Sequence, residues 1–187
     1  MTSSTPSAKK YDNVMIDLET LGTKPGSVIV SIGAVAFNLG EPQDEYPTFY
    51  EVFSLSDTVR YNFSLDLDTM TWWMKQTNEA RKVFHVPGRV IADVLTEFNR
   101  FVATASGHRG DVKVWGNGAD FDNVLLAGYY RELGIPAPWK YHNNRCFRTV
   151  RRVLALPDVA REGTHHNALD DALYQVKVLQ QVKNPSY

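Results

Sequence analysis

The chain has 187 residues, 43% of them hydrophobic, with 20 basic against 21 acidic side chains. That length suits one domain with a sizeable core, and the composition excludes a chain that is mainly disordered. A net charge of -1 excludes bulk electrostatic coating of nucleic acid or membrane, so a polyanionic partner needs a local site. The single cysteine, Cys146, cannot form an internal disulfide and demands no oxidising compartment. The most apolar stretch, residues 28–37, is broken by Ser31 and Gly33 and is too short to span a bilayer.

In chain order, residues 1–10 (MTSSTPSAKK) are small and polar. They read as a disordered tail rather than a secretory leader, leaving one domain over 11–187 and, by default, a cytoplasmic location. Residues 14–18 (VMIDL) and 27–37 (SVIVSIGAVAF) carry strand formers, separated by turn chemistry in GTKPG. A third strand is expected over 48–55, which makes an antiparallel meander. Helices are expected over 68–80 and 90–105, the second with Ile91, Val94, Leu95, Phe98 and Val102 at helical spacing. Residues 112–116 (VKVWG) form a short buried strand. A helix over 119–133 follows, stopped by Gly134 and Pro136, and a last helix covers 167–182. Strands first, then helices alternating with strands, predict an α/β domain with a mixed central sheet.

Four acids stand out. Asp17 and Glu19 lie two apart on the first strand, so they share a face about 6–7 Å apart. A strand end reaching solvent accounts equally well for that pair alone. Asp122, between Phe121 and a run of Val124, Leu125 and Leu126, is harder to solvate than Asp120. On the last helix, at about 100° per residue, Asp170 falls in the polar arc with Lys177 and Gln181. Asp171 falls in the apolar arc with Val178 and Val182, where an acid needs a partner or a cation. His165 and His166 precede this helix, and a histidine there can reach the space of Asp171.

If Asp17, Glu19, Asp122 and Asp171 converge, their mutual repulsion calls for cations. Hard oxygen donors favour two Mg²⁺ or Mn²⁺ ions over Zn²⁺. A pair of such ions clamps a phosphodiester, and His166 suits removal of a proton from the attacking water. The chain has no Walker loop, no Gly-x-Ser-x-Gly elbow and no His-Glu-x-x-His.

The segments DLE (Asp17–Glu19), NGADFD (Asn117–Asp122) and HNALDDA (His166–Ala172) resemble the three motifs of the DEDDh 3′-5′ exonucleases. The longer stretches DLETLGTKPGSVIVSIGAVAF, DTMTWWMKQTNEAR and VWGNGADFDNVLL, with the pattern PW…RCFRT, resemble the RNase T-like subgroup of bacterial 3′ exoribonucleases and a phage exodeoxyribonuclease. The resemblance spans about 11–182. It implies an RNase H-like fold, with Asp17, Glu19, Asp122 and Asp171 as metal ligands and His166 completing the catalytic set. It also implies a single-stranded nucleic-acid 3′ end as substrate and 5′-mononucleotides as products.

By the same resemblance, Thr20, Leu21 and Gly22 line the terminal-nucleotide pocket, with Leu21 either a wedge against a base or an ordinary core residue. Of the adjacent Trp72 and Trp73, about 100° apart on a helix, at most one stacks on a base and the other belongs to the core. Trp73 is the candidate, with Phe121 beside it. Lys140, Arg145, Arg148, Arg151 and Arg152 form a basic cluster without an acid between Trp139 and Pro157. They suit upstream phosphates, and Arg148 is the candidate contact. Several relatives form homodimers in which one subunit's basic surface serves the other's site, so a homodimer is expected by analogy. The competing readings are an RNase H-like endonuclease and an inactive nucleic-acid-binding module. RNA and DNA are not distinguished by any motif here.

Overall fold

The computed structural model describes residues 9–107 and 110–183. Five strands form one sheet: β1 (Asn13–Thr20), β2 (Ile29–Phe37), β3 (Thr48–Val52), β4 (Lys113–Gly116) and β5 (Asn144–Cys146). Their order is β3-β2-β1-β4-β5. The first three pair antiparallel, β4 runs parallel to β1, and β5 runs parallel to β4. This is the expected mixed sheet with its meander. The helices are α1 (Leu67–Met74), α2 (Asn78–Arg81), α3 (Ile91–Ser106), α4 (Asp122–Glu132), α5 (Phe147–Val153) and α6 (Ala168–Leu179). Among the described residues, no helix is long and apolar enough to cross a membrane.

The two sheet faces are sorted by the period-2 alternation of β1. Val14, Ile16 and Leu18 enter the larger core, against Ile91, Leu95 and Phe98 of α3 and Leu125, Leu126 and Tyr129 of α4. Met15 enters the opposite core with Val35, Phe37 and Trp115, against Ala172, Val176 and Leu179 of α6. Continuing that alternation puts Asp17 and Glu19 on the α6 side. The antiparallel partner of Asp17 is Gly33. A Cβ on Gly33 would collide with the backbone of Ala168 and Leu169. The first turn of α6 therefore lies directly on the sheet, and this close approach carries Asp171 to the β1 acids.

Several boundaries differ from the sequence reading: the third strand ends at Val52 and the last helix at Leu179. The expected helix over 68–80 breaks after Met74 and restarts at α2, because the Thr77 hydroxyl caps the new helix by accepting from Ala80 N–H. The helix expected from 119 starts at Asp122. The segment 144–153, expected only as a basic cluster, supplies β5 and α5. Of the expected tail, residues 1–8 lie outside the described residues. Lys9 pairs with Glu41 at 3.4 Å, and the Lys10 carbonyl accepts from Asn38 at 3.1 Å.

Candidate active site

Carboxylate oxygens of Asp17, Glu19 and Asp171 lie within 4.8 Å of one another. Two come from the end of a central strand and one from the first turn of α6. Glu19 and Asp171 are buried, and Asp17 is partly buried. Burial raises the Asp17 pKa well above the carboxylate range, helped by the charges of Asp122, Glu19 and Asp171. Burial likewise pushes Glu19 up to about 8, with Asp171 and then Asp122 adding to it. Hard oxygen donors, held close and disfavoured as free anions, fit divalent cations of the Mg²⁺ or Mn²⁺ type.

Asp122 borders this trio instead of joining it. Its two carboxylate oxygens accept the backbone N–H groups of Leu18 at 3.1 Å and Asn117 at 2.7 Å. It is 2% exposed. Burial raises its pKa to about 6, opposed by those two hydrogen bonds. Asp122 thus staples the start of α4 to β1 at the point where the other acids emerge.

His166 stands at the head of α6 with a left-handed backbone, φ 64°. A non-glycine residue in that region is uncommon and marks a local constraint. Its N–H donates to Asp171 Oδ2 at 3.0 Å, while Asn167 caps the helix by accepting from Leu169 and Asp170. Burial lowers the imidazole pKa, with His165 adding to the effect, so the ring is neutral near pH 7. His165, His166 and Asp171 also bring ligand atoms within 4.8 Å of one another. Asp170 accepts Thr164 N–H at 2.6 Å, outside the acid trio.

A cavity of about 670 Å³ opens from these acids, and cations line it as well: Arg148, Arg151 and Arg152 from α5, and Arg161 from the loop before α6. Arg148 donates to the Asn117 carbonyl at 2.6 Å, and Arg151 pairs with Asp158 at 2.7 Å. A second cavity, about 570 Å³, lies on the other side of Leu18 and Glu19. Thr20, Asp66, Trp72, Trp73 and Phe121 are among the residues lining it.

Two of the residues expected beside a terminal nucleotide lie away from both cavities. Leu21 is buried with Val28, Val30 and Trp73 in a small third core and lines neither cavity. Gly22 lines neither as well, since its α-carbon faces Ser27. The register shift between Glu19 and Thr20 turns the chain there, and Leu21 N–H bonds back to the Val28 carbonyl. Leu18 lines both cavities. The choice between the tryptophans also changes. Trp73 is 3% exposed, and its indole N–H donates to the Thr20 carbonyl at 2.9 Å. Trp72 is 40% exposed and meets the His166 ring edge-on at 4.8 Å. Of the two tryptophans, Trp72 is the one that offers exposed ring surface to this cavity, and Trp73 packs against it from the core.

Two residues of the site were not foreseen. Gln175 is 2% exposed and donates to Asp17 Oδ1 at 2.6 Å, while its own Oε1 is buried without a partner among the described residues. It lies one helical turn after Asp171, so the same angular count applied to Gln175 would have found it. Arg161 forms an ion pair with Asp171. It sits in an irregular loop, where no periodicity could have announced it.

A mixed sheet covered by helices, with acids from β1, α4 and α6 and a histidine at the head of the last helix, is the arrangement of a nuclease domain on an RNase H-like fold. The chain matches the model of the Rv2179c-like 3′-5′ exoribonuclease domain over residues 12–183. It belongs to that family and is by class a 3′-5′ exonuclease domain.

A comparison with curated proteins returns no match. Solved structures with the same fold include the nuclease domain of 3′hExo, a DEDDh family member bound to rAMP (13% identity, TM-score 0.60, covering 91% of both chains). Another is cell-death related nuclease 4, CRN-4 (13% identity, TM-score 0.52, covering 91% of this chain and 63% of that one). A third is a 3′-exonuclease in 3′-end specific recognition of a histone mRNA stem-loop (13% identity, TM-score 0.51, covering 96% of this chain and 66% of that one). The chain therefore spans less than two thirds of the length of CRN-4.

Proposed function

We propose that this domain hydrolyses the terminal phosphodiester at the 3′ end of a single-stranded nucleic acid and releases 5′-mononucleotides. The observation that carries the reading is the trio of carboxylates within 4.8 Å, flanked by Asp122 and by a neutral His166. Asp17, Glu19 and Asp171 would hold divalent ions, two of them Mg²⁺ or Mn²⁺, with Asp122 completing the set once an ion competes for its oxygens. Bound there, such ions polarise the phosphoryl oxygen and stabilise the leaving oxygen.

The chain's own residues do the rest. His166 takes a proton from water, and that water's oxygen attacks phosphorus. The bond from phosphorus to the O3′ of the preceding nucleotide breaks, and this oxygen leaves with a proton. Gln175 holds Asp17 in orientation through its amide hydrogen bond. Trp72 and Phe121 offer apolar surface to the terminal base in the smaller cavity. The arginines of α5 meet the phosphates on the other side. The acidic and cationic walls are thus arranged so that the strand runs from the base cavity, across the acids, toward α5.

The test is a 5′-labelled single strand incubated with Mg²⁺ and then with chelator. The expected result is a ladder shortening from the 3′ end that stops on chelation. A circular single strand should remain intact; its cleavage would instead indicate an endonuclease. Binding without shortening would indicate a binding module. Matched RNA and DNA strands in the same assay decide which sugar is preferred.

A further inference from the structure

Arg161 has an unusual place. It lies in the irregular segment between α5 and α6, yet its guanidinium reaches into the acidic end of the larger cavity and pairs with Asp171. Its guanidinium carbon stacks over the Tyr174 ring at 4.3 Å. The other oxygen of Asp171 is taken by His166 N–H at 3.0 Å. Both oxygens of one of the three clustered carboxylates are therefore engaged, one of them by a cation from the protein itself. The Arg161 side chain is 35% exposed and that of Asp171 is 11% exposed, so the pair sits at the mouth of the acid cluster and not inside the core. The ring of Tyr174 gives the guanidinium a platform beside the acids that does not depend on the ion pair.

We propose that Arg161 is an exchangeable counter-cation: it neutralises Asp171 when the acids hold no metal, and a divalent ion displaces it into the adjoining cavity, where it takes a phosphate oxygen. The inference rests on the metal-binding reading of the acid trio given above. A cation on Asp171 and a metal ion on Asp171 compete for one oxygen, so whatever stability the ion pair adds to the ion-free state is subtracted from metal affinity. The displaced guanidinium stays within a cavity that also holds Arg148, Arg151 and Arg152. Its planar fork suits bidentate contact with a phosphate. The same side chain thus opposes the ion alone and favours the ion together with an anionic ligand.

The opposite signs make the idea testable without an activity assay. Mn²⁺ is titrated calorimetrically into the full chain and into its R161Q, R161K and D17N variants, first alone and then with inorganic phosphate. R161Q is expected to bind Mn²⁺ about 1.5- to 5-fold more tightly than the unsubstituted protein, the range expected for removing a partly exposed ion pair. It should melt lower in chelator and bind phosphate more weakly once loaded with Mn²⁺. R161K, which keeps the charge but loses the fork, should fall between the two, and it decides the matter if R161Q does not fold in chelator. Unchanged or weaker Mn²⁺ binding by these arginine variants, with binding lost in D17N, overturns the role of Arg161 and leaves the metal site standing. Failure of the unsubstituted protein to bind Mn²⁺ overturns both.

Discussion

Gly33 of β2 lies beneath Ala168 of α6 with no room for even a methyl group between them. Gly33 is also the cross-strand partner of Asp17. The missing side chain therefore sets the height at which α6 sits over the sheet, and with it the distance from Asp171 to Asp17 and Glu19. G33A should force α6 outward, costing about 1–3 kcal/mol as an overpacked contact. Its effect on catalysis should be larger than that loss of stability implies, because the carboxylates separate. Thermal melting and Mn²⁺ titration of the same preparation check this. A G33A protein with full metal affinity would show that the contact does not set the site.

Asp17 and Asp122 are both acids of the site, yet their substitutions should differ in sign. Asp17 sits among like charges, so D17N relieves repulsion and keeps an acceptor for Gln175. In chelator at pH 8 it should melt about 2–4 °C higher, on the scale of 1 kcal/mol for a chain of this size, while losing activity. D122A removes the acceptor of two backbone N–H groups at once. Leaving them unpaired in a buried setting costs about 2–4 kcal/mol. It should melt lower and be inactive. Parallel melting curves of the two variants decide the matter.

The pH dependence of the ion-free protein follows from the raised acids. Glu19 titrates at about 8 in the fold against about 4.3 in an unfolded chain, and Asp17 is raised in the same direction. The folded state therefore holds protons that the unfolded state has released, and stability falls as pH rises between those two values. In chelator the melting temperature should decline from about pH 5 to pH 8. Divalent ions should restore most of it at the alkaline end, where the carboxylates are free to bind them. A flat profile in chelator would show that the cluster is not strained by its own charge.

The adjacent tryptophans give a second contrast. Trp73 fills the small core against Phe84, with ring centroids 5.0 Å apart, and donates to Thr20. W73A should destabilise by about 3–5 kcal/mol. Trp72 is exposed beside His166. W72A should leave melting nearly unchanged but raise KM for an oligonucleotide, as expected for loss of a stacking surface worth about 1–3 kcal/mol. An unaltered KM would remove Trp72 from the substrate path.

Much of this architecture was legible in the sequence because burial and periodicity report on it. The meander, the long α3 and the inward register of Asp171 all follow from which positions carry apolar side chains. The break between α1 and α2 was not seen, because the Thr77 hydroxyl competes with helix continuation, a local effect that periodicity does not register. Which of its two readings Leu21 follows could not be told from the strand pattern either: the irregularity at Glu19–Thr20 alters the alternation that such a pattern assumes, and the residue is buried in the small core. The helix α5 is only seven residues long and dense in arginine, so its charge masked its fold. Arg161 reaches Asp171 from a loop, and no spacing rule connects them.

The strand β1 is hydrogen-bonded on both sides, to β2 and to β4, and it carries Asp17 and Glu19. The β4 pairing covers residues 13–15, while Asp17 and Glu19 pair with Gly33 and Ser31 of β2, so displacing either acid means parting β1 from β2 there. The walls that meet the rest of a polymer, α1 on one side and the segment from α5 to α6 on the other, are short or irregular elements at the periphery. On the function proposed above, substitutions in those outer pieces would alter which strand the scaffold accepts, by sugar, base or length, without touching the acids of β1.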